Sequence, residues 1–74
     1  RVADAILYLS ENIFNSLHFN MILSRKDLAE FTGMSTMSVV RTLKEFKSAN
    51  IIEDKNGILE IKDINILKQI SLKG

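Results

Sequence analysis

The 74-residue chain has no cysteine, no proline and no tryptophan, and it has only one histidine and three glycines. Without cysteine there is no disulfide frame, no thiolate metal site and no Cys–His nucleophile pair, a composition that fits a reducing cytoplasm. His18 has no second histidine with which to build a metal cluster, and Gly33, Gly57 and Gly74 are too isolated to form a phosphate-cradling loop. The acidic residues lie scattered among lysines rather than paired. No apolar run approaches the roughly 18 residues of a membrane span, and no signal peptide is visible. These absences argue against an enzyme, a resident metal or cofactor, and a membrane partner.

The hydrophobic share of 46% and charged share of 26% are those of a folded globular domain. A chain this short buries only about 60% of the surface it exposes when unfolded, so one modest core is expected. Net charge is +1, and many nucleic-acid-binding domains are far more basic. Affinity for a polyanion would have to come from where the cations sit. The chain opens at Arg1, without an initiator methionine and inside a helical pattern, which is expected of a fragment of a longer protein.

The most informative stretch is 24–47, SRKDLAEFTGMSTMSVVRTLKEFK. Ser24 is an N-cap with Asp27 in the acidic capping-box place. The helix it starts runs through Leu28, Ala29 and Phe31 and stops at Gly33, which best tolerates the left-handed conformation of a helix end. Ser35 is the next N-cap. Beyond it Val39, Leu43 and Phe46 recur at four and three residues and form a buried stripe. Thr36, Met37, Val40, Arg41 and Lys44 fall on the opposite side. Small Ala29, turn Gly33 and β-branched Val39 complete a helix-turn-helix, whose second helix, 36–47, has its free face where a DNA major groove would lie.

The remaining segments frame this pair. Residues 1–14 read as a helix with Val2, Ala5, Ile6, Leu9 and Ile13 packing under the helix-turn-helix. Residues 17–23 read as a short strand. Asn56-Gly57 is a strong type I′ hairpin signal between runs 51–55 and 58–61, a β wing that 17–23 could extend to three strands. Asp63 caps a final helix, 64–71, with Ile64, Leu67 and Ile70 facing inward. The order is α-β-α-α-β-β-α, and the fold class is α+β, one winged helix-turn-helix domain over 1–74 with the wing at 51–61.

Residues 23–52, LSRKDLAEFTGMSTMSVVRTLKEFKSANII, resemble the DNA-binding domain of the Crp/Fnr family of bacterial transcription regulators. The likeness extends over nearly the whole chain and is strongest from Leu23 to Ile61. It implies sequence-specific binding to double-stranded promoter DNA, an N-terminal β-barrel sensor domain, a homodimer formed through a long upstream helix, and contact with RNA polymerase. It also implies that Arg41 reads a guanine, as a guanidinium can by bonding O6 and N7 together. Thr36, Met37 and Val40 match the family's other base-facing places. Familiar members carry Glu where this chain has Met37, and a thioether cannot accept from cytosine N4, so the familiar operators are not expected. Met37 and Val40 suit thymine methyl groups instead.

Phosphate contacts are expected from Ser24, Arg25, Lys26, Ser35, Ser38 and Lys44, and from the wing around Lys55 and Asn56. In the first turn of a helix, cations such as Arg25 and Lys26 cost roughly a few tenths of a kcal/mol each, which a bound phosphate would reverse. Arg25, Lys26, Lys44 and Lys55 should then share one face with Arg41. Two other readings are a winged helix from a different regulator family and a winged helix used as a protein–protein module. The effector, the operator sequence and the direction of regulation are not written in these residues.

Overall fold

The first helix of the computed structural model, which describes residues 1–73, changes its winding partway along. Helix α1 (Val2–Tyr8) buries Val2, Ala3, Ala5, Ile6 and Leu7 and continues as a π-helical segment, Leu9–Phe14. There the Asn15 amide, in left-handed conformation, donates to the Ser10 carbonyl five residues back. The wider turn delays each later side chain around the axis. Ser10 is carried inward, where its hydroxyl donates to the Ser16 carbonyl at 2.6 Å. Phe14 is carried onto Phe19, stacked at 5.0 Å between centroids. Ile13 is thrown outward and is 50% exposed. The expected stripe therefore holds for Val2, Ala5, Ile6 and Leu9 and fails at Ile13, because a regular 3.6-residue period no longer describes the chain there.

Strand β1 is His18–Asn20, shorter than the 17–23 expected. Its partner β3 (Ile58–Ile61) is only four residues long, and pairing ends where that partner ends. Just outside the strand the Leu17 carbonyl still accepts from Ile61 N–H, and Met21 N–H still donates to Gly57. Strand β2 (Ile52–Lys55) lies on the other side of β3, so the antiparallel sheet has the order β1-β3-β2. Asn56 and Gly57 both take positive φ, 55° and 80°, as the Asn-Gly hairpin requires.

The helix-turn-helix forms at the expected residues. Helix α2 (Arg25–Thr32) carries both halves of the Ser24–Asp27 capping box. It ends at Gly33 with φ 73°, and Ala29 O accepts from both Gly33 and Met34 N–H, which satisfies a carbonyl that would otherwise be orphaned. Helix α3 (Thr36–Ser48) begins at Ser35, whose Oγ accepts from Ser38 N–H. Helix α4 (Ile64–Lys73) begins where Asp63 Oδ1 accepts from Ile66 N–H, and it runs past the expected end at Ser71 as far as Lys73. Leu67 is fully buried, with Ile64 and Ile70 against the same core. That core draws on every helix and strand, and α1 packs against α2, α3 and α4.

Candidate nucleic-acid interface

Helix α3 is anchored by one face and presents the other. Val39, Leu43 and Phe46 are buried, whereas Thr36, Met37, Val40, Arg41 and Lys44 are exposed. Residues three and four apart are neighbours on a helix, so Met37 lies beside Arg41, and Val40 beside Lys44. The four form one patch, with Thr36 at its N-terminal edge. Arg41 and Lys44 extend from it with no carboxylate of the described residues bound to either.

The distribution of ion pairs shows what a net charge of +1 conceals. Four of the ten Lys and Arg side chains are internally paired: Arg25 to Asp54 at 2.9 Å, Lys47 to Asp54 at 3.9 Å, Lys62 to Glu53 at 3.0 Å and Lys68 to Glu11 at 3.7 Å. Lys26, Arg41, Lys44 and Lys55 make no ion pair among the described residues; the other two without one are Arg1 and Lys73, at the chain's outer helix ends. Asp27 and Asp63 are occupied in helix caps, and Asp4 accepts from the Ser71 hydroxyl. The expected interface thus keeps Lys26, Arg41, Lys44 and Lys55 without an ion pair among the described residues, while most of the acids are engaged in caps or in pairs with other groups.

Asp54 joins three elements that the sequence keeps far apart. Its Oδ2 accepts from the Arg25 guanidinium at the start of α2 and lies 3.9 Å from Lys47 Nζ near the end of α3. The helix-turn-helix and wing strand β2 therefore meet at one half-buried carboxylate. Of the expected phosphate-binding side chains, Arg25 alone is committed to an internal ion pair. Neither Asp54 nor Lys47 was among the expected site residues, and no local signal marks them, since 29 residues separate Arg25 from Asp54. Nearer the base of the wing, Lys62 donates to the Glu53 carboxylate. That hydrogen bond holds Glu53 below the usual carboxylate range and raises the Lys62 ammonium.

The serines are placed as caps first. Ser24 Oγ accepts from Asp27 N–H at 3.1 Å, and Ser35 Oγ accepts from Ser38 N–H while donating to Ser38 Oγ. In this arrangement the Ser24 and Ser38 hydroxyl protons have no acceptor among the described residues, so both remain donors toward an anion. Lys55 and Asn56 are exposed at the tip of the wing, where the hairpin turns. Among the described residues no group of three His, Asp or Glu side chains could hold a metal ion, and no helix is long and apolar enough to cross a membrane.

Comparison with known proteins places this geometry. The family model of the Crp-like helix-turn-helix domain matches residues 1–70. The catabolite activator protein of Thermus thermophilus superposes with a TM-score of 0.81 and 24% identity, over 97% of this chain and 32% of its own. Reduced CprK without ligand gives 0.77 and 23%, over 95% of this chain and 36% of its own. A CprK variant complexed with OCPA gives 0.72 and 27%, over 95% and 38%. The chain thus spans about a third of the length of these solved proteins. No curated protein sequence matches it.

Proposed function

The chain belongs to the Crp-like helix-turn-helix family, the DNA-binding part of transcription regulators, and we propose that α3 enters the major groove with Arg41 bonding guanine O6 and N7. Thr36, Met37 and Val40 meet neighbouring base edges in this reading. Ser24, Lys26, Ser35, Ser38, Lys44, Lys55 and Asn56 hold phosphates, with Arg25 joining them if Asp54 releases it. The observation that carries the reading is the exposed face of α3, on which Arg41 and Lys44 have no ion-pair partner among the described residues while the opposite face is locked into the core. The family is a DNA-binding one and not an enzyme family.

Base and phosphate roles separate by mutation. Arg41→Ala is expected to lose about 1–3 kcal/mol on a matched half-site and to relax preference at one base pair. Lys44→Ala is expected to weaken all sequences alike and to flatten the dependence of log K on log salt by about one unit. Fluorescence-anisotropy titrations against selected and random duplexes read both. Equal losses on the two duplexes for Arg41→Ala would rule out its readout role. Absence of salt-dependent binding to random duplex would favour the protein–protein alternative.

Asp54→Ala has an expected sign opposite to most interface substitutions. It removes an anion and releases both Arg25 and Lys47. Random-duplex affinity should rise, with a salt slope steeper by about one unit. Folding stability should fall by no more than about 1 kcal/mol, the range of a partly exposed ion pair. Weaker binding at every salt concentration would instead show that Asp54 is needed to hold the wing in place.

For the whole regulator, the family resemblance supports a cytoplasmic homodimer. Two α3 helices would meet a pseudo-palindromic operator about 34 Å apart. A sensor domain outside this chain would set their spacing, and the bound pair would contact RNA polymerase at the promoter.

A further inference from the structure

We propose that the α3 patch selects operators by the C5-methyl groups of pyrimidines, with Met37 and Val40 seated on thymine methyls beside the guanine held by Arg41. This inference rests on the reading above and specifies the chemistry of its ligand. Met37 is 81% exposed and Val40 44% exposed, so neither serves the core. They stand three residues apart on the same face as Arg41 and Lys44, which have no ion-pair partner among the described residues and would hold that face against a polyanion. Scattered exposed apolar residues are ordinary; two of them side by side on one helix face with two cations are not.

The hydrogen-bonding inventory points the same way. Val40 has neither donor nor acceptor and the Met37 thioether is only a weak acceptor, so neither can accept from cytosine N4 or adenine N6 as a carboxylate or amide oxygen would. Ser38, in the same first turns, is half-buried and its Oγ already accepts from Ser35 Oγ at 2.9 Å. Among the described residues Thr36 alone keeps a free hydroxyl acceptor on that face, and it also carries a methyl group. Of the four bases only thymine offers an apolar group in the major groove. Along the axis Met37 and Val40 are roughly 4.5 Å apart at 1.5 Å per residue, comparable with the base-pair step of about 3.4 Å. Two adjacent or next-adjacent thymines can therefore be touched together.

Replacing thymine by deoxyuridine deletes the methyl and leaves every hydrogen-bonding group in place. Duplexes selected from a random pool by this domain are to be scanned one thymine at a time. Deoxyuridine at one or two positions next to the Arg41-dependent guanine should weaken binding about fourfold each, the worth of one buried methyl group. In Met37→Ala or Val40→Ala the loss at one of those positions should vanish, which separates direct contact from an altered DNA shape. At a cytosine-substituted position, 5-methylcytosine should bind more tightly than cytosine. A deoxyuridine scan with no effect, beside an intact Arg41→Ala loss on selected duplex, would overturn methyl selection and leave base reading standing. Failure of selection to enrich any sequence would overturn both.

Discussion

Two copies of this chain joined by a flexible linker are expected to bind a palindromic duplex some 10²–10⁴-fold more tightly than one copy at the same salt concentration. In the proposed reading each α3 offers only four or five exposed side chains to the groove, and several of the remaining cations are neutralised internally by Asp54, Glu53 and Glu11. One domain therefore has few contacts and little non-specific attraction to supplement them. Tethering makes the second binding event intramolecular, and the gain is greatest when the linker's root-mean-square length matches the span between sites. For a Gly/Ser chain that match to about 34 Å needs roughly 40 residues. The comparison requires a duplex with one half-site scrambled, on which the tethered pair should lose most of its advantage. An equal affinity of single and tethered chains for the intact palindrome would mean either self-association of the domain or no role for paired half-sites. Sedimentation of the single chain distinguishes these two.

Leu28→Ala is expected to lower the unfolding free energy by about 2–5 kcal/mol. Leu28 is 0% exposed in α2 and belongs to the core shared by all the helices and strands. A domain of this length has roughly 4–11 kcal/mol of stability in total, so this one truncation removes a large part of it. At about 4–8 °C per kcal/mol the melting midpoint should fall by roughly 8–40 °C. Leu72, at 87% exposed on α4, supplies the control, and Leu72→Ala should stay within about 0.5 kcal/mol of the parent. Thermal melts followed by circular dichroism give both values. Similar shifts for the two variants would mean that α2 does not belong to the common core. Loss of DNA binding in Leu28→Ala should track the folded fraction, unlike Arg41→Ala, which leaves the core untouched.

Most of the site's scaffold was legible because its signals are local. The Ser24–Asp27 capping box, the left-handed Gly33, the Ser35 cap, the Asn56-Gly57 turn and the Asp63 cap each depend on groups at most four or five residues apart. Such contacts form without reference to the rest of the molecule, and their side-chain chemistry has few alternatives. The face of α3 was legible for a related reason. Only one rotation of that helix buries Val39, Leu43 and Phe46, and burying them exposes Met37, Val40, Arg41 and Lys44.

Other features depend on partners that the local pattern does not contain. Residues 17–23 are apolar enough for a long strand, yet only His18–Asn20 finds a ladder, because β3 supplies just four residues opposite it. Ile13 keeps the helical period in the sequence but leaves the core, since the turn of chain around Ser10 and Phe14 is wound to meet Ser16 and Phe19. Arg25 reads as a free cation at a helix start, and it is tied to Asp54 only because the wing folds back beside α2. Hydrogen bonds and periodicity within a few residues thus specify the helix-turn-helix and its outward face. Strand length, helix winding and the pairing of individual charges were decided by tertiary packing, because each needs a group brought from elsewhere along the chain.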